Sequence, residues 1–185
     1  MAYISNRNHT LSRRESRKDV NPLAGHKSHW IITREDLRCL TDIGIQEHRR
    51  FFNRNQHLAA LFEDGLLLVC LRQSAARHYC DPGFNTGFGD FDLWLFYEAK
   101  KGIRFPYRAR LRKHRPVYRG KDVDVLRRAV TVEVDVLCTD DAVRAITQYV
   151  ERRRRTVPKR DRKPDALVGL YPDEVFGETL WVSAE

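Results

Sequence analysis

Two short and almost entirely apolar segments limit the folds that this chain can adopt. Residues 66–71 read Leu-Leu-Leu-Val-Cys-Leu, and residues 90–97 read Asp-Phe-Asp-Leu-Trp-Leu-Phe-Tyr. Each segment has the length of a β-strand, and such a run of apolar residues is typical of a strand that is covered on both faces. The sequence therefore predicts a central sheet with helices packed against it.

Helical patterns surround these strands. Thr33 and Asp36 form an N-cap signature, and apolar residues recur at helical spacing through residues 34–62, where Gly44 predicts a break. A short helix is expected from Gln73 or Ser74 to Tyr79. A later helix, capped by Asp140 or Asp141, is expected to run to about Arg153. Further strands are predicted at residues 123–126 and 130–137, with an edge strand at residues 166–171. Together these elements predict an α/β (α+β) fold whose mixed sheet has about four or five strands flanked by helices.

The size of the chain fits one compact domain. Its 185 residues are 42% apolar, enough for a single core. Residues 1–28 are polar and predict a flexible basic arm, residues 29–155 the folded body, and residues 156–185 a basic linker with a C-terminal strand and tail packing on that body. No apolar run approaches the roughly 20 residues that span a bilayer, and no secretory signal is evident, so we expect a cytoplasmic protein with no membrane partner.

The chain carries a formal net charge of +9. Much of the excess lies at residues 152–155 and 159–163. A positive field favours phosphate-bearing partners such as a nucleotide, RNA or another polyanion. The same charges are also explained by a solvated helix end, where cations complement the helix dipole, so both interpretations stay open.

Three aspartates are the candidate site. Asp90 and Asp92 lie two positions apart on one predicted strand, so they point to the same face and can hold one hard cation such as Mg²⁺. Asp124 lies between valines on another predicted strand and supplies the third carboxylate that two-metal phosphoryl chemistry uses. Asp122 shares a face with Asp124 and is the alternative for that role.

The order of these segments resembles the nucleotidyltransferase (polymerase beta-like) superfamily. The resemblance is carried by an apolar strand, a small residue that opens a helix, a D-x-D strand, and a later strand with an aspartate between apolar residues, which here are residues 66–71, 74–76, 89–94 and 122–126. More narrowly, residues 72–79 with residues 90–94 are similar to an uncharacterised bacterial group of nucleotidyltransferase-like proteins. The resemblance covers roughly residues 60–155.

The resemblance implies a metal-dependent transfer of a nucleotide from a nucleoside triphosphate to an acceptor. Residues 29–155 would then be a nucleotidyltransferase-like domain in which Asp90, Asp92 and Asp124 bind Mg²⁺. Asp124 would also help to deprotonate the nucleophile, and Gln73 and Ser74 would contact the nucleotide at the start of their helix. The alternative is a catalytically inactive module of the same fold that binds nucleic acid or a protein partner.

Overall fold

The computed structural model describes residues 26–83, 87–105, 115–132 and 138–184. Of the predicted basic arm, residues 1–25 lie outside this part of the chain. Ser28 forms an isolated bridge with Phe88, and the carbonyl of His26 accepts a hydrogen bond from Lys121 Nζ. The described end of that segment therefore contacts the folded body.

The described residues form an α+β fold with a mixed, open sheet, as predicted. The α-helices are α1 (Arg34–Arg54), α2 (Gln56–Phe62), α3 (Gln73–Cys80) and α4 (Thr139–Arg155), and the strands are β1 (Leu66–Arg72), β2 (Phe91–Glu98), β3 (Val117–Tyr118), β4 (Lys121–Val130), β5 (Ala166–Tyr171) and β6 (Thr179–Val182). Short 3₁₀ helices occupy Glu63–Gly65, Lys159–Asp161 and Asp173–Val175. Over these same ranges, every helix is too short or too polar to cross a membrane.

The sheet has six strands in the order β3-β4-β2-β1-β5-β6. Only β2 and β4 are parallel, and all other neighbours are antiparallel. The predicted count of four or five strands was too low, because the two-residue β3 and the four-residue β6 are too short to give a clear alternation. The strand predicted at residues 166–171 is confirmed as β5, but its predicted position at the edge was wrong, since β6 covers its outer side. Part of the strand predicted at 130–137 falls on residues 133–137, outside the described residues.

Helix α1 starts where the sequence predicted and continues further than expected. The Thr33 hydroxyl accepts a hydrogen bond from Asp36 N at 3.2 Å, and Thr33 N donates to Asp36 Oδ2 at 2.8 Å, which confirms the capping box. The predicted break at Gly44 was wrong, because the helix ends only before Asn55. A Cβ on Gly44 would lie 2.9 Å from Val69 Cγ1, so this glycine lets α1 approach the sheet.

The N-cap of helix α4 lies two or three residues before its predicted position at Asp140 or Asp141. Its N-cap is Cys138, and Asp140 and Asp141 both lie in the first helical turn. There the two carboxylates face the positive end of the helix dipole. Cys138 Sγ donates to Asp141 Oδ2 at 2.9 Å. The two aspartates therefore stabilise the helix start without being its cap.

The sheet separates two apolar cores. One core joins α1, α2 and α3 to one face, through residues such as Phe91, Leu93 and Leu95 of β2. The other joins α4 to the opposite face, through Trp94 and Phe96 of the same strand. Both faces of β2 are thus buried, which explains its nearly continuous apolar sequence.

Gly169 of β5 permits a close backbone approach that a larger residue would prevent. A Cβ at this position would lie 2.2 Å from the carbonyl oxygen of Val175. We expect Gly169→Ala to lower the free energy of unfolding by about 3 kcal/mol, because relief of the clash requires a backbone shift. Urea unfolding would measure the effect. The matched control is Gly65→Ala, whose Cβ meets Glu98 Cβ at an ordinary 3.7 Å. Equal unfolding midpoints for the two variants would contradict this account.

Candidate functional site

One end of the sheet carries a row of charged side chains. Asp124 of β4, Asp92 of β2 and Arg72 of β1 are in register on neighbouring strands. Strand alternation puts Asp92 on the same face as Trp94 and Phe96, and residues in register share a face. All three charged side chains therefore lie on the face against which α4 packs.

Asp92 is a buried carboxylate without a counter-ion. Its exposed fraction is 8%, and among the described residues no hydrogen bond or ion pair reaches it. Burial raises the pKa of Asp92 to about 7, with further contributions from the negative charges of Asp90 and Asp124, while the Arg72 guanidinium acts in the opposite direction. Above pH 7 the Asp92 carboxyl is therefore mainly charged although it is buried, and the Arg72 charge offsets that cost only in part.

Asp124 has a basic partner. Arg115 Nη1 lies 3.0 Å from Asp124 Oδ1, and 28% of the Asp124 side chain is exposed. Burial raises the pKa of the Asp124 carboxyl, and the charges of Asp90 and Asp122 add to that effect, whereas Arg115 opposes it. Since the Arg115 side chain is 58% exposed, this ion pair is open to solvent and contributes little to stability.

The structure brings the three predicted acids within electrostatic reach of one another. Asp90 directly precedes β2 and raises the pKa of both Asp92 and Asp124. Within the described ranges, no group of three or more His, Cys, Asp or Glu side chains is arranged so that it could hold a metal ion. A cation at this place would therefore depend on one or two carboxylates with water or substrate oxygens, as Mg²⁺ commonly does.

Arg72 forms an ion pair with Asp165, a residue that the sequence did not indicate as part of the site. Arg72 is 6% exposed, and its guanidinium forms an ion pair with Asp165 just before β5. The same guanidinium lies over the Trp94 ring, 4.0 Å from its centroid. Because 93 positions separate Arg72 from Asp165, local sequence carries no signal for the pair. The pair explains why Arg72, although in register with Asp92, does not form an ion pair with it.

The Asp165 carboxylate also binds the first backbone amide of α3. Gln73 N donates to Asp165 Oδ1 at 2.9 Å, so the first amide that the resemblance assigned to a nucleotide is already engaged. Gln73 has a φ of 59°, in the left-handed region that costs a non-glycine residue roughly 1–2 kcal/mol. The Asp165 hydrogen bond holds this abrupt turn from strand to helix. Ser74 lies partly exposed in the first turn of the helix.

Comparisons of the chain with protein-family models, with curated proteins and with solved structures found no match. The chemistry of this end of the sheet is therefore inferred from the carboxylates, the cations and their surroundings.

The unpaired carboxylate of Asp92 predicts an unusual dependence of stability on pH. Between its ordinary pKa of 3.8 and about 7, the unfolded chain binds fewer protons at this position than the folded chain, so stability falls as pH rises through that range. The full cost is at most roughly 4 kcal/mol and is present above pH 7. We expect Asp92→Asn to stabilise the protein by about 1–2 kcal/mol at pH 8 and to have no such effect at pH 4.

Urea unfolding at both pH values would measure this difference. The matched control is Asp42→Asn, the same change at an exposed position of α1. An Asp92→Asn variant that is less stable than the wild-type protein at pH 8 would show that the carboxylate has a stabilising partner.

Proposed function

We propose that this protein is a divalent-cation-dependent nucleotidyltransferase that transfers a nucleotide from a nucleoside triphosphate to an acceptor. The proposal is supported by the arrangement of the segments that carry the resemblance. The strand of residues 66–71 is followed by helix α3, then by the D-x-D strand β2, and then by β4 with Asp124. Strands β2 and β4 are parallel neighbours, so Asp92 and Asp124 are adjacent in space.

The observation that carries the proposal is the buried Asp92 carboxylate beside Asp124. A charged group that is buried without a partner costs free energy, and such groups concentrate at functional sites. A divalent cation would remove that cost by supplying the missing positive charge. The residues fit Mg²⁺, because this ion takes carboxylate oxygens from one or two side chains and completes its shell with water and phosphate oxygens.

Each acid then has a role in the transfer. Asp90 and Asp92 would hold the cation, which supplies electrostatic stabilisation of the phosphate oxygens when bound. Asp124 would accept the proton of the acceptor hydroxyl as that oxygen bonds to the α-phosphorus. The bond from the α-phosphorus to the bridging oxygen of the β-phosphate breaks, and pyrophosphate leaves with the electron pair. The raised pKa of Asp124 makes it a stronger base than an ordinary carboxylate.

The Arg115–Asp124 ion pair has to open for this role. Both side chains are partly exposed, and exposed pairs contribute only about 0–1 kcal/mol, so a substrate can displace Arg115 at little cost. Once released, the Arg115 guanidinium is available to a phosphate oxygen, which it can bind through two parallel hydrogen bonds.

Two contacts favour a second function, a non-catalytic module of the same fold that binds nucleic acid or a protein partner. Arg115 neutralises Asp124, and Asp165 occupies the Gln73 amide, so both groups have partners within the chain. The net charge of +9 would then attract the anionic partner. This function requires no cation between the acids, which separates it from the first.

Metal binding tests the proposed transferase. At pH 8 and in the absence of phosphate, saturating MgCl₂ or MnCl₂ should stabilise the wild-type protein by about 2–3 kcal/mol, the effect of a ligand near one hundred times its dissociation constant. That gain corresponds to a rise of roughly 5–10 °C in Tm for a chain of this size. Asp92→Asn should abolish the rise, and Asp42→Asn should retain it.

Incubation with labelled nucleoside triphosphates and a panel of acceptors provides the activity readout. We expect metal-dependent transfer by the wild-type protein and at least a hundredfold loss in Asp92→Asn. A melting temperature that does not respond to either metal, together with no transfer in any panel, would remove the transferase and leave the non-catalytic module.

A further inference from the structure

We propose that a basic cleft beside the carboxylates binds a compact chain of phosphates, such as the triphosphate of a nucleotide. The cleft has a volume of about 270 Å³ and lies between the C-terminal end of α4 and residues 156–165. Its identification with nucleotide binding rests on the proposed function, whereas phosphate binding itself follows from the cleft. This segment was expected from sequence only as a solvated helix end or a general polyanion surface.

The charge of the cleft is strongly unbalanced. Two acidic residues, Asp161 and Asp165, face five cationic residues, which are Arg72, Arg153, Arg154, Arg162 and Lys163. Clustered cations in a concave surface attract multivalent anions more strongly than the same cations spread over a convex one. The lining therefore favours a ligand with several negative charges close together.

Two of these cations, Arg154 and Arg162, are held in place without being neutralised, whereas Arg72 is paired with Asp165. Arg154 donates to the carbonyl of Lys163 at 2.7 Å, and Arg162 donates to the carbonyl of Val157 at 2.8 Å. These acceptors are uncharged, so they fix each guanidinium and leave its charge for a ligand. Lys163 Nζ has no hydrogen bond or ion pair within the described ranges. Preorganised cations lose little conformational entropy when an anion binds.

The cleft adjoins the acidic row of the sheet through Arg72. Arg72 lines it and is in register with Asp92 on the neighbouring strand, at a Cα separation of roughly 5 Å. Trp94 also lines it, and the buried indole N–H of this residue has no hydrogen-bond partner in the described part of the chain. A phosphate chain in the cleft would thus extend toward the place where the proposed cation binds.

The aromatic content of the lining favours a compact phosphate group over a nucleic acid strand. Proteins that bind single strands combine cations with exposed aromatic rings on which the bases stack. Trp94 is the one aromatic residue among the described residues that line the cleft, and only 7% of it is exposed. The cleft therefore offers cationic side chains to phosphates but no exposed aromatic ring on which bases could stack.

Tripolyphosphate without any divalent cation is the direct probe. We expect isothermal titration of the full chain in EDTA to detect binding, and Lys163→Met to raise the Kd about tenfold, the effect of one lost hydrogen bond to a charged group. The matched control is Lys159→Met, the same change in the same segment but outside the cleft lining, which should alter the Kd less than twofold. Circular dichroism would verify that both variants fold.

Three outcomes would overturn the proposal: no binding of tripolyphosphate by the wild-type protein, an equal loss in both lysine variants, or a single-stranded RNA that binds through Lys163 and is not displaced by tripolyphosphate. The last result would identify a nucleic-acid site instead. Because this titration contains no metal and the metal titration contains no phosphate, the failure of one proposal is distinguishable from the failure of the other.

Discussion

The ion pair between Arg72 and Asp165 determines how charge is distributed at the end of the sheet that carries Asp92 and Asp124. Arg72 is in register with Asp92, yet its guanidinium binds Asp165 and lies over Trp94. The same carboxylate accepts the backbone N–H of Gln73, so one side chain fixes the turn from β1 to α3 and anchors the start of β5. Asp92 is left buried without a counter-ion, which is the state that a divalent cation would relieve.

In this arrangement, the negative charges of β2 and β4 and the positive charges of the cleft lie on neighbouring strands of the sheet. Asp92 and Asp124 lie on the β2 and β4 side, where Asp124 is paired with Arg115. The cations that line the cleft lie on the side of β1 and the end of α4. A nucleotide with a divalent cation would complement both charges, since its phosphates suit the cations of the cleft and the cation would be held by the carboxylates. Five cations and two acids line the cleft, so a phosphate ligand there would lie next to the acids of β2 and β4.

Local features of the fold were predictable from sequence, and contacts between distant segments were not. The apolar runs identified β1 and β2, and alternation along β2 assigned its two faces correctly. Gly44 was misread as a helix break because its role is to fit against Val69 of the sheet, a contact that helical periodicity cannot reveal. The Arg72–Asp165 pair and the partner of Arg115 depend on the assembled sheet. Strand geometry predicted that the three acids lie near one another, whereas their unequal environments required the structure.

A crystal structure of the protein grown with Mn²⁺ and a non-hydrolysable nucleoside triphosphate analogue would test the central claim most directly. We expect anomalous density for Mn²⁺ at Asp90 and Asp92, with Arg115 displaced from Asp124 and the phosphates extending past Arg72. Crystals that contain the analogue elsewhere, with no metal at the acids and Arg115 still paired to Asp124, would contradict it.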